Sequence, residues 1–149
     1  AKPFYHTVQF SGPQALDAVS FEGIFNGKER KTVIFIVSTT GQGDCPENMS
    51  RFWMRIKDLV SRCGGGGGAD MKHKPDCAVF GLGDSKYKYY NVVSRRLYGM
   101  LKHIGCNMIE RLGCGDDQHD FGYEQEFDPW LAELLGIDPN APPRKSHSL

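Results

Sequence analysis

Three segments of the chain concentrate residues suited to holding a flat, polar, aromatic ligand. Residues 38–44 read STTGQGD, residues 81–91 read GLGDSKYKYYN and residues 113–117 read GCGDD. Glycine lets backbone N–H and C=O groups approach a ligand closely, because no Cβ stands in the way. Tyr87, Tyr89 and Tyr90 offer aromatic faces for stacking. Taken singly, each segment also reads as an ordinary Gly–Asp turn. Asn91 also reads as a helix cap, and Asp116 and Asp117 as solvated acids. One of Tyr89 and Tyr90 also reads as packing under its own loop, and Lys86 and Lys88 as plain exposed charges. His119 lies beside acids, but no second ligand has metal spacing, so no metal site is expected.

Strands must position these segments. Residues 32–37 (TVIFIV) and 77–80 (CAVF) are unbroken apolar runs. Neither alternates with polar residues, so both read as strands buried on two faces of a parallel sheet. Residues 108–112 form a weaker strand broken by Glu110 and Arg111, and residues 7–10 a short one near the start. Helical patterns lie between. Pro46 suits a first helical position, after which Met49, Phe52, Trp53, Ile56, Leu59 and Val60 recur on one face. A second helix runs from Asn91, with Val93, Leu97, Met100, Leu101 and Ile104 apolar, to a stop at Gly105. A third is expected with Asp128 as cap and Pro129 at its first position, ending at Gly136. Trp53 and Trp130 fall on apolar faces and read as core. The glycine run 64–68 is a surface loop: no strand feeds it and no Lys-Ser or Lys-Thr follows.

Strands alternating with helices imply an α/β three-layer sandwich with a parallel sheet. Ligands in such sheets bind beyond the carboxyl ends of the strands. All three polar segments follow strands, so all three gather at that edge, which a set of unrelated turns does not explain.

The bulk composition narrows the function. Eighteen basic residues balance eighteen acidic ones, leaving no basic stripe for nucleic acid. No apolar run approaches the ~20 residues of a membrane span. The five cysteines include no C-x-x-C pair, which argues against a disulfide framework or zinc site and fits a reducing, cytoplasmic setting. Residues 1–137 are expected to form one domain and 138–149, rich in proline and polar residues, the start of a linker to something beyond.

STTGQGDCPENMSRFW, GLGDSKYKYYN and LGCGDDQHDFGYEQEFDPWL, in this order, resemble the flavin loops of the FMN domain in diflavin reductases. The resemblance spans roughly residues 31 to 135 and is greatest to the cytosolic branch that serves iron–sulfur assembly. It implies a flavodoxin-like fold and an FMN site. Tyr87 would stack on the ring, Gly41 would present its backbone near N5, and Thr39, Thr40, Gln42 and Gly43 would line the ring edge. Gly81, Leu82, Gly83 and Asn91 would hold the ring and its side chain, Tyr89 would stand beside them, and Asp116 would lie close. Reductases that serve haem proteins usually carry a second stacking tyrosine at the position of Thr40, so the resemblance favours an Fe–S acceptor. FAD and NADPH would belong to a further domain of the same chain.

The family's first strand, phosphate-binding loop and first helix have no match here. Residues 7–10 align best with the second strand, so the chain is expected to derive from a longer protein, and this piece alone is not assumed to hold FMN. The central first strand being absent, TVIFIV is expected to show an unpaired apolar edge. The expected activity is electron relay from NADPH through FAD and FMN to an acceptor, with no catalytic acid, base or nucleophile in this domain. Delivery to a haem protein and a cofactor-free interaction module are the rival expectations.

Overall fold

The computed structural model describes residues 12–63, 71 and 73–137. The expected strand at 7–10, the glycine run at 64–68 and the tail at 138–149 lie outside the described residues.

In chain order the elements are α1 (Phe21–Phe25), β1 (Thr32–Ser38), α2 (Ser50–Arg62), β2 (Asp76–Gly83), α3 (Val92–His103), β3 (Asn107–Met108), β4 (Gly113–Asp116) and α4 (Glu124–Leu135). Short 3₁₀ turns stand at Leu16–Ala18 and Glu47–Met49. All strand pairings are parallel, as unbroken apolar strands demand. β2 is central: it pairs with the whole of β1, from Thr32↔Asp76 to Ser38↔Leu82. Its other edge takes β3 at Asp76–Cys77 and β4 at Phe80–Gly83.

The weak strand expected at 108–112 is thus placed differently. Pairing covers 107–108, lapses over 109–112 and resumes at 113–116. Glu110 and Arg111, both charged, fall in the gap, where they reach solvent instead of a buried sheet face. Residues 113–116, read as loop, are strand.

Two apolar layers enclose the sheet. Phe35 and Val37 of β1 and Cys77 and Val79 of β2 pack with Ile24, Phe25, Phe52, Trp53, Ile56, Val93, Leu97 and Leu101 from α1, α2 and α3. On the opposite face Ala78 and Phe80 meet Trp130 of α4. Burying aromatic or aliphatic side chains of this kind stabilises by about 1.5–3 kcal/mol each. Both tryptophans are core, as their helical spacing predicts.

The two-faced burial expected of β1 holds only on one face. Phe35 and Val37 are buried, but Ile36, which points the other way, is 49% exposed. α4 covers β2 and β4 on that face and does not extend over Ile36. β1 also has a free edge among the described residues, as expected.

Helix boundaries shift for identifiable reasons. α2 starts at Ser50, after the 3₁₀ turn that follows Pro46. Its first N–H groups are capped from a distance by Asp17, whose carboxylate accepts from Phe52 N at 2.9 Å and Arg51 N at 3.2 Å. α4 starts at Glu124, so Pro129 lies inside it instead of at its first position. α1 carries no long periodic pattern and is held by its Ser20 cap, which accepts from Gly23 N at 3.1 Å.

Candidate functional site

The loops after β1, β2 and β4 converge at the carboxyl edge of the sheet. Cross-bonds hold them in one piece. Asp116 accepts from Ser85 N at 2.9 Å and from Gln118 N at 3.0 Å. Gln118 donates to Asp84 at 2.9 Å, and Asp117 N to the Gly83 carbonyl at 2.9 Å. Thr39 accepts from Val93 N at 3.1 Å and so joins the first loop to α3.

Between these loops lies a cleft of about 390 Å³. Its wall includes Thr39 and Gly41 after β1, Leu82 and Gly83 at the end of β2, and Tyr87, Tyr89 and Asn91 in the loop that follows. All seven were singled out in the sequence. Ser38, Asp84, Tyr90 and Tyr123 complete it. Tyr123 was missed, because it comes after the GCGDD segment, just before α4; the only hint was an aromatic directly before a helical pattern. Tyr87 is 68% exposed, so its ring is free to cover a ligand. Gly41 has φ of +48°, a conformation that side chains rarely adopt.

Asn91 is the most unusual group here. It is buried, sits at φ +53° before α3 and makes no side-chain cap. Its amide donates to the Gly115 carbonyl at 3.1 Å, while its Oδ1 is buried with no partner. A buried acceptor without a donor is costly, and such groups cluster where something binds.

The other expected residues stand outside the wall. Thr40 closes the turn: it bridges to Asp44, whose carbonyl accepts from the Thr40 hydroxyl at 3.1 Å. Gln42 is exposed in that turn. Gly43 lies against the Tyr89 ring, where an added Cβ would come within 3.2 Å. Gly81 is crowded by Asn91 and Ser94, so its missing side chain serves the packing of α3 on β2. Gly113 and Gly115 likewise make room for Phe80. Asp116 bonds the loops together from beneath.

The surroundings are anionic. Burial raises the Tyr123 hydroxyl, and Asp117, Asp84 and Asp116 raise it further. Burial also raises Tyr90, with Asp116 and Cys114 adding to it. For Asp116, partial desolvation opposes ionisation, but the N–H groups of Ser85 and Gln118 prevail and hold the carboxyl below its usual range. His119 lies 3.9 Å from Glu126, and no cluster of three metal-ligating side chains occurs among the described residues.

The arrangement suits a flat ring with hydrogen-bonding edges, stacked on tyrosine. No Lys or Arg lines the cleft, so the lining offers no counter-charge to a phosphate.

The flavodoxin sequence profile matches residues 14–130. The chain is 40% identical over 118 residues to an NADPH-dependent diflavin oxidoreductase 1 of Danio rerio, covering 78% of this chain and 18% of that one. It is 42% identical over 104 residues to the protein of that name from Arabidopsis thaliana, covering 70% of this chain and 16% of that one. It therefore spans less than a fifth of these relatives. Among solved structures, a mutant flavodoxin from Pseudomonas aeruginosa superposes with TM-score 0.52 at 23% identity, over 69% of this chain and 63% of the other. Oxidised flavodoxin 1 from Bacillus cereus gives 0.51 at 23%, over 71% and 65%. At that identity the likeness speaks for the fold alone.

Proposed function

Because the chain belongs to the flavodoxin family, we propose that its carboxyl-edge cleft holds the isoalloxazine ring of FMN. In this reading the domain relays electrons within a larger NADPH-dependent diflavin oxidoreductase. One observation carries the reading: the cleft joins the free Tyr87 ring, the Cβ-less Gly41 turn and the polar Asn91 in one wall. These fit the ring, which has aromatic faces and polar edges. They do not supply the cation that the FMN phosphate favours.

When bound, FMN supplies the redox chemistry, in steps of one or two electrons. The chain's own groups bind and tune. Tyr87 covers one ring face and keeps water from it. Gly41 offers backbone at the ring edge, and Asn91 fixes the cleft wall by donating to the Gly115 carbonyl. Thr39, Leu82, Gly83 and Tyr89 bound the ring. Thr40, Gln42, Gly43, Gly81 and Asp116 act one step back, by shaping the loops. The field of Asp84, Asp116 and Asp117 disfavours added negative charge, which lowers the potential of the site. No side chain is needed as acid, base or nucleophile.

In the whole protein, residues 1–137 form the FMN domain and residues 138–149 begin the linker to an FAD- and NADPH-binding domain. The relatives' name, diflavin oxidoreductase, supports this division. The acceptor we propose is an iron–sulfur protein of the cytoplasm. Support comes from Thr40: it stands where haem-serving reductases carry a second stacking tyrosine, and its hydroxyl is committed to the turn.

FMN titration followed by flavin fluorescence tests the reading, with this chain beside one extended upstream. Quenching with the longer chain is expected. No quenching with either chain removes the flavin and leaves an interaction module. With the intact protein, NADPH-driven reduction of an Fe–S acceptor in preference to a cytochrome is expected. The reverse preference removes the Fe–S assignment and leaves the flavin site standing.

A further inference from the structure

The chain's zero net charge conceals an uneven distribution. α2 carries Arg51, Arg55, Lys57 and Arg62 against the single acid Asp58. α3 carries Arg95, Arg96 and Lys102, with His103 beside them and no acid. The compensating acids include Asp84, Asp116, Asp117 and Asp120 in the loops at the cleft.

A groove of about 320 Å³ runs between these two basic helices. Trp53, Val60 and Met100 form its apolar lining, and Lys57, Arg96 and His103 rise around it. These three are exposed, and none is ion-paired among the described residues. Elsewhere on α2, Arg55 and Arg62 are neutralised by Glu22 and Asp58, so Lys57 and Arg96 stand out as uncompensated.

Gly99 opens the groove. It lies inside α3, where glycine is less favourable than alanine by about 1 kcal/mol. The fold has no steric need for it: a Cβ built there meets nothing within 4 Å. Its φ is not positive either. What its missing side chain does is leave the space between Arg96 and His103 clear.

We propose that this groove docks an acidic amphipathic segment of a partner protein, its apolar side chains seated over Trp53, Val60 and Met100 and its carboxylates facing Lys57, Arg96 and His103. An uncompensated positive rim around an apolar floor calls for the opposite charge around an apolar anchor. The floor is recessed, with Trp53 only 6% exposed. A flat lipid surface needs apolar groups that protrude, so a concave floor favours a peptide. The groove is separate from the FMN cleft, with no lining residue in common.

The test uses a fluorescein-labelled synthetic helix of about four turns, with Leu and Trp on one face and Glu on the other, read by anisotropy against the 149-residue chain. Saturable binding that weakens with salt is expected. The double variant Lys57→Glu/Arg96→Glu is expected to weaken it by about tenfold or more, because two attractions become repulsions. Gly99→Leu fills the groove and is expected to weaken it comparably while leaving helical circular dichroism intact, since leucine favours a helix more than glycine does. FMN affinity, measured in the upstream-extended chain carrying the same substitutions, is expected to be unchanged in both variants, which separates failure here from failure of the flavin site. Equal binding of peptide by wild type and variants overturns the proposal. So does equal binding of a scrambled peptide of the same composition, which shows charge attraction without a seat. Binding to anionic vesicles that the same variants abolish, with peptide binding unaffected, assigns the groove to a membrane and overturns it as well.

Discussion

Tyr87 is the residue whose role is easiest to isolate. It is 68% exposed and makes no side-chain hydrogen bond among the described residues, so their packing does not depend on its ring. Tyr87→Ala is therefore expected to leave the unfolding midpoint unchanged while weakening FMN affinity about tenfold, the scale of one lost aromatic stack. Tyr87→Phe keeps the stack and should retain affinity. Isothermal titration of a flavin-binding form reads both, and equal affinity of the alanine variant would place the ring elsewhere. Asn91 is the opposite case. It is buried, strained and half-satisfied, and it crowds Gly81 and Gly83, so any replacement disturbs cleft and fold together. Its position in the motif was legible in the sequence. That it would leave an acceptor unpartnered was not, because the partner it does have, the Gly115 carbonyl, belongs to another strand.

At the scale of elements, β4 shows how a sheet accommodates a large aromatic. The Phe80 ring lies across Gly113 and Gly115, beside Trp130, whose indole N–H donates to the Arg111 carbonyl at 2.8 Å. A Cβ at Gly113 would come within 2.9 Å of the Trp130 ring. Gly113→Ala is accordingly expected to destabilise by about 1–3 kcal/mol through overpacking. Urea denaturation measures it, and a variant as stable as wild type would mean that α4 can shift at no cost. The Gly-Asp composition of residues 113–117 led to a loop reading because glycine is usually read as a turn signal. Here it answers a ring contributed by the neighbouring strand. Pro129 misled in the same way: its local preference for a helix start yields to the packing of Trp130 and Phe127, which keeps α4 continuous through it.

Two properties belong to the whole molecule. The first is acid sensitivity. Asp76 is held below the usual carboxylate range by Arg30 and Asn107. Asp17 and Asp116 lie low as well, because backbone N–H groups outweigh the desolvation that opposes their charge. Each carboxyl binds its proton more weakly folded than unfolded. The stability it contributes is therefore complete above the unfolded pKa of about 3.9 and is lost as pH falls through the lower folded value. The gap in urea midpoint between wild type and Asp76→Asn is expected to be widest near neutrality and to close below about pH 4. A constant gap would mean that the charge contributes nothing. The second property is the uneven covering of the sheet. Three helices sit on one face and only α4 on the other, so Ile36 and the outer edge of β1 stay open among the described residues. An apolar strand edge invites pairing with another chain. Concentration-dependent elution in size-exclusion chromatography is expected, reduced by Ile36→Lys. Identical elution of the two proteins would show that the edge is not sticky.

Sequence alone determined the α/β class, the buried strands, both core tryptophans and the loops after β1 and β2 that line the cleft. These rest on hydrophobic periodicity and on motif order, which are properties of contiguous residues. Tertiary structure decided which of the residues in those loops face the cleft and which brace it. Thr39, Gly41 and Tyr87 line it, whereas Gly81, Gly113 and Asp116 serve packing and loop closure. It alone disclosed Tyr123 as part of the wall, Asp17 as the cap of α2 and the basic groove between α2 and α3. The reason is physical: a glycine or a carboxylate in a loop has the same local propensity whatever it meets, and what it meets is set by residues tens of positions away.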